Sequence, residues 1–140
     1  WVAASGEPSI YGWILFGILF AWQLPHFMAI AWNFRSDYEQ GGFKLHSLGK
    51  SDGFHLARKS LFYSFILSGL IFSPYFIETG QPVPGIPYFF SACFLTFYLM
   101  IPSLQFFTSQ NRDKPAKRLF FVTIIYLPLL FATLVIDRFL

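Results

Sequence analysis

Charge is what this sequence has least of. Asp, Glu, Lys and Arg make up 12% of the 140 residues, about half of the 25% that an ordinary soluble domain carries. So few charges leave the surface of a soluble body of this size largely uncoated. Four short buried helices of a soluble bundle are the alternative, and they sit poorly with that shortage. Cysteine is nearly absent as well. The one Cys93 lies in an apolar run, which excludes a disulfide framework and a cysteine metal cluster. The net charge of +3 is small, and its placement reflects topology, not nucleic-acid binding.

What fills the chain instead is apolar. Hydrophobic residues reach 55% and aromatics 22%, with 20 Phe. No Asp, Glu, Lys or Arg occurs between Glu7 and Arg35, from Ser60 to Ile77, from Thr79 to Asn111, or from Leu119 to Ile136. A helix needs roughly 20 apolar residues to cross a hydrocarbon core, and in lipid it must satisfy its own backbone polar groups. The sequence therefore predicts an all-α integral membrane helix bundle. Four spanning helices are expected near residues 10–34, 60–77, 87–107 and 119–136, in one domain over 1–140. Residues 35–59 form the longest polar loop.

The basic residues are distributed unevenly. Of ten, five follow the first helix (Arg35, Lys44, Lys50, Arg58, Lys59) and four follow the third (Arg112, Lys114, Lys117, Arg118); the last is Arg138. Loops one and three share a side if there are four spans, and Lys and Arg favour the cytoplasmic side. Both loops are expected there. The chain opens on Trp1 with no basic leader, and the expectation is that it begins within a longer protein.

Polar groups inside a membrane are costly and tend to face the bundle interior or a water-filled cavity. In the first helix these are Gln23, His26 and Asn33, with Asp37 just beyond. At 100° per residue, Trp22, His26, Asn33 and Asp37 fall within an arc of roughly 60°. The plainer alternative is that His26 and Asn33 hydrogen-bond neighbouring helices. The polar loop adds Glu39, His46, Asp52 and His55. His55, Arg58 and Lys59 stand at i, i+3 and i+4, on one face of the second helix's start. Carboxylates here suit Mg²⁺, which takes one or two of them plus substrate phosphates, and the basic groups suit a diphosphate. A solvated connector is the alternative. The spacing of His46 and His55 matches no strong metal motif.

The run Trp22-Gln23-Leu24-Pro25-His26-Phe27-Met28-Ala29-Ile30-Ala31, with Asp37-Tyr38 and Gly42-Phe43 after it, closely resembles W-x-P-P-H-F-x-x-L-A…D-Y-x-x-x-G. That pattern belongs to the protohaem IX farnesyltransferases of the UbiA superfamily of intramembrane prenyltransferases. Trp1-Val2-Ala3-Ala4-Ser5-Gly6, Arg58-Lys59…Tyr63 and Arg118-Leu119-Phe120…Tyr126-Leu127 look like the same family. Leu24 departs from it where many relatives have Pro, and His46-Ser47 stands where they read Leu-Pro.

The resemblance implies the C-terminal part of a UbiA-type nine-helix fold, without the upstream Asp-rich motif, and so a piece inactive by itself. It implies farnesyl transfer from farnesyl diphosphate to a vinyl group of haem B, giving haem O, with Mg as cofactor. Asp37, Tyr38, Arg58 and Lys59 would act on the diphosphate. Asp37 would hold the metal, with Glu39 and Asp52 as further carboxylates. Trp22, His26, Phe27 and Asn33 would line the haem and prenyl cavity. A bacterial cytoplasmic membrane and a downstream haem A synthase as partner complete the expectation. A sister enzyme acting on a quinone or chlorophyll precursor is the rival enzyme, and a transporter or haem-binding segment the rival of another class.

Overall fold

The computed structural model describes residues 3, 6–41, 53–78 and 82–140. Helix α1 covers Ile10–Asn33, the short α2 Arg35–Gln40, α3 Phe54–Phe72, α4 Ile86–Thr108 and α5 Asp113–Phe139. A 3-10 turn over Ser73–Tyr75 closes α3, and no strand occurs among the described residues. Ser9 starts α1 from an extended conformation, its Oγ accepting the Gly12 N–H at 3.1 Å. That is the usual way to satisfy one of the orphan donors of a first turn.

The four long helices form a closed ring in which α1 packs on α3 and α5, and α4 packs on the same two. Their directions alternate. Asn33 bonds to the Ala116 carbonyl and Trp22 to that of Thr123. Gly17 lies beside Leu70, Gly53 beside Trp32, and Tyr88 donates to the Ile71 carbonyl. Ile14, Ile18 and Ala21 of α1 meet Leu67 and Ile71 of α3, Leu95 and Leu99 of α4, and Tyr126 and Leu130 of α5 in one buried core.

The outside is as apolar as the inside. Phe16, Phe62, Phe94 and Phe97 are more than half exposed well inside their helices, as is Trp13 in the first turn of α1. Water would not tolerate such a surface, whereas lipid or further apolar helices would cover it. Helices α1, α4 and α5 are long and apolar enough to cross a membrane. The chain is an integral membrane protein.

Helix α3 falls short of that apolarity. It contains His55, Arg58 and Lys59 in its first turns and buried Ser60, Ser64 and Ser68 further along. Ser64 donates to the Ser60 carbonyl at 2.9 Å, so its single hydroxyl hydrogen is used. The 2.9 Å contact with Ser103 of α4 is therefore a bond donated by Ser103. Small hydroxyl residues of this kind let two membrane helices approach and bond across their interface.

The helices also run past the uncharged stretches. α3 begins at Phe54 instead of near 60, and α5 at Asp113 instead of near 119. Residues 35–40 are helical, where the sequence suggested loop. An uncharged run marks the apolar layer, while the backbone of the first charged turns is just as able to hold helix. Lys44 and Lys50 lie outside the described residues. Of the other eight basic residues, Arg138 sits at one end of the ring and seven gather at the other.

That basic end is tied together by Asp113. Its Oδ1 accepts from Trp32 Nε1 at 3.1 Å and from Arg35 at 3.0 Å, and Arg35 lies 4.1 Å over the Trp32 ring. Both partners of the ion pair are partly exposed, which caps its worth at about 1 kcal/mol. Asp113→Ala is expected to lower stability by about that amount, read as a small drop in thermal midpoint in detergent.

Candidate functional site

The polar stripe of α1 faces α5. Trp22 and His26, one turn apart, stack with ring centroids 5.1 Å apart and planes at 14°. Phe120 of α5 stacks on the other side of His26, at 5.4 Å and 15°. The imidazole is thus held between two parallel aromatic faces. In its plane, His26 Nδ1 lies 2.8 Å from Thr123 Oγ1. The Trp22 indole N–H donates to the Thr123 carbonyl at 2.7 Å. His26 as a whole is half-buried.

Asn33 lies further along the same flank, and its amide donates to the Ala116 carbonyl at 3.2 Å. That bond ties α1 to α5. Phe27 is more than half exposed, with its ring 5.9 Å from His26 and tilted by 54°. It borders the outer face of α1 beside the histidine.

The helix that carries the stripe breaks before Asp37. Helix α1 ends at Phe34, whose φ of −109° and ψ of 21° leave the helical track, and α2 starts afresh. A projection from Trp22 through Asp37 presumes one uninterrupted helix, so it does not carry past Phe34. Asp37 sits exposed in the first turn of α2. Tyr38 and Glu39 fall on the same short helix. Asp52 and His46 lie outside the described residues.

Arg58 and Lys59 are exposed on α3 and border a cleft of about 480 Å³ with Leu24, Met28, Phe62 and Tyr63. Leu24 and Met28 face α3, while Trp22 and His26 face α5. At 100° per residue Leu24 and His26 diverge by roughly 160°. The basic cleft and the aromatic histidine site thus occupy opposite flanks of α1. His55, also exposed, turns its ring edge-on to Phe54. Among the described residues no group of three or more His, Cys, Asp or Glu side chains could hold a metal ion. Asp37 is of the right type to complete a Mg²⁺ shell that a diphosphate mostly supplies.

Sequence reasoning missed Thr123 and Phe120 as parts of the site. A hydroxyl within an uncharged helix was the one signal available for Thr123. Its partner lies 97 residues away, beyond the reach of any local pattern.

A profile of the UbiA prenyltransferase family matches residues 1–125. The chain is 35% identical, over 99% of its length, to a protoheme IX farnesyltransferase of Opitutus terrae. Identity to those of Koribacter versatilis and Christiangramia forsetii is 35% and 38%, again over 99% of the chain. The chain spans only 45–46% of these relatives' own length. No solved structure matches it. With the profile covering most of its length and an apolar helix bundle beneath it, the chain belongs to the UbiA prenyltransferase family.

Proposed function

We propose that this chain is part of an intramembrane prenyltransferase that moves a farnesyl group from farnesyl diphosphate to a vinyl group of haem B, making haem O. The observation that carries the reading is likeness to protoheme IX farnesyltransferases along 99% of the chain. Since the chain spans 45% of such a relative, it is inactive alone, and the rest of the site comes from outside it.

In the reaction the C1–O bond of the farnesyl diphosphate breaks and the outer vinyl carbon bonds to C1. Water then adds to the carbon beside the porphyrin and gives up a proton. Asp37, Tyr38, Arg58 and Lys59, at the basic end, receive the diphosphate, with Glu39 and Asp52 as further carboxylates. Arg58 and Lys59 offset its growing charge, a preorganised electrostatic effect. Mg²⁺, when bound, neutralises part of the same charge and is held through Asp37. Trp22 and Phe27 line the haem and prenyl cavity on the His26 side of α1, where an aromatic face turned to a cation is worth about 0.5–2 kcal/mol. His26 offers a ring nitrogen to the haem iron or to the departing proton. The fourth helix, α3, crosses the membrane with the other three, and the basic end faces the cytoplasm of a bacterial inner membrane. A haem A synthase would take the product onward.

Membranes containing the full-length protein, given haem B, farnesyl diphosphate and Mg²⁺, are expected to form haem O, separated by chromatography and identified by mass. Farnesyl diphosphate consumed on another acceptor would make the protein a sister enzyme for a quinone or chlorophyll precursor. No consumption would overturn the enzyme reading in favour of a transporter or haem-binding role.

A further inference from the structure

A neutral imidazole has two tautomers, and Thr123 accommodates one of them. Its hydroxyl donates to the Phe120 carbonyl at 2.7 Å, the back-bond by which a helical threonine uses its own hydrogen. A hydroxyl has one hydrogen to give and lone pairs to receive. The 2.8 Å contact with His26 Nδ1 must then be donated from the histidine side. Neutral His26 is consequently protonated at Nδ1, and the lone pair lies on Nε2. Were Nδ1 bare, two lone pairs would oppose each other inside an apolar bundle, which costs about 1–3 kcal/mol.

The same residue also fixes the ring's orientation. The Trp22 indole is anchored to the Thr123 carbonyl and covers one face of His26, while Phe120, one turn before Thr123, covers the other. Rotation of the imidazole is blocked on both faces, and its proton position is set at one edge.

We infer that Thr123 is a positioning residue for His26, holding it as the Nδ1–H tautomer so that Nε2 presents its lone pair to the substrate. The orientation of His26 toward substrate rests on the function proposed above; the tautomer rests on the hydrogen bonds alone. Setting a histidine's reactive nitrogen by bonding the other one is a general device, and for a histidine that ligates a metal its loss typically costs about 10–100-fold in affinity or activity.

The test uses the full-length protein, labelled with ¹⁵N-histidine and held in lipid nanodiscs, with His26→Gln identifying the His26 signals. Wild type and Thr123→Ser are expected to show a protonated Nδ1 and a bare Nε2. Thr123→Val, equal in shape but without an acceptor, is expected to lose that signature and the His26-dependent shift of the haem Soret band. Haem O formation should fall about 10–100-fold with it, and Ser should restore all three. A wild-type His26 protonated at Nε2 overturns the inference even if the Val variant fails to fold. So does a folded Val variant that keeps the Nδ1–H signal. If Val moves the tautomer while both it and His26→Ala leave haem spectra and haem O unchanged, the positioning role falls. The tautomer assignment then survives, and what fails is the proposed part of His26 in the reaction.

Discussion

Asp37→Asn in the full-length protein is expected to cut haem O formation by about 100-fold or more, the cost of removing one preorganised electrostatic group from a charge-developing centre. The fold should not notice. Asp37 is exposed, and the carboxylate that secures Arg35 and Trp32 belongs to Asp113. The competing explanation is that Asp37 serves only as an acidic residue in the first turn of α2. A favourable helix-dipole contact of that kind is worth about 0.3–1 kcal/mol, and it would appear as a small stability loss with turnover intact. Turnover measured at saturating Mg²⁺, beside the thermal midpoint, separates the two. Retained turnover there removes Asp37 from the site. A large loss at an unchanged midpoint assigns its carboxylate to the chemistry.

The membrane-embedded character of this chain could be read directly, because lipid makes the same demand of every residue facing it. Long runs without charge are visible in one dimension, and the four long helices each contain one. The gathering of basic residues at one end was legible for the same reason, since loops one and three share a side when the chain crosses four times. What could not be read was set by contacts across the bundle. Nothing between Asn33 and Arg35 signals a break: neither Gly nor Pro stands there. The helix stops where Arg35 folds back over Trp32, donates to its carbonyl and reaches Asp113, 78 residues onward. Past that break the 100° projection from Trp22 no longer reaches Asp37. The separation of Leu24 and Met28 from Trp22 and His26 was already present in the 100° spacing, but only the neighbours of α1 show which flank meets which helix. Thr123 gave least warning. Its importance lies in a hydrogen already committed to Phe120, a matter of geometry that residue type does not encode.

Gly53→Ala should damage the fold, with a loss of roughly 2–5 kcal/mol. Two costs add. Gly53 caps the start of α3 at a φ of +71°, a left-handed conformation that costs an L-residue about 1–2 kcal/mol. A Cβ placed there would also collide with the Trp32 ring, and overpacking of this kind costs about 1–3 kcal/mol. The ring has little freedom to yield. Its nitrogen is bonded to Asp113, Arg35 lies on its face, and it meets Phe106 edge-on. Gly69 supplies the control, because a Cβ added there meets nothing within 4 Å. Within a helix Gly69→Ala should be neutral or stabilising, by up to about 1 kcal/mol. Thermal midpoints of the full-length protein in detergent would rank the two variants, and an equal pair would show that neither the left-handed turn nor the Trp32 contact costs much. Pairing Gly53→Ala with Trp32→Leu divides the loss further. Residues in contact couple by about 0.5–3 kcal/mol, so relief of the collision should return that part of the stability while the backbone strain at residue 53 persists. Full additivity would instead place the whole cost in the left-handed turn, and would free Trp32 from any part in seating α3 and its Arg58 and Lys59 against the end of α1.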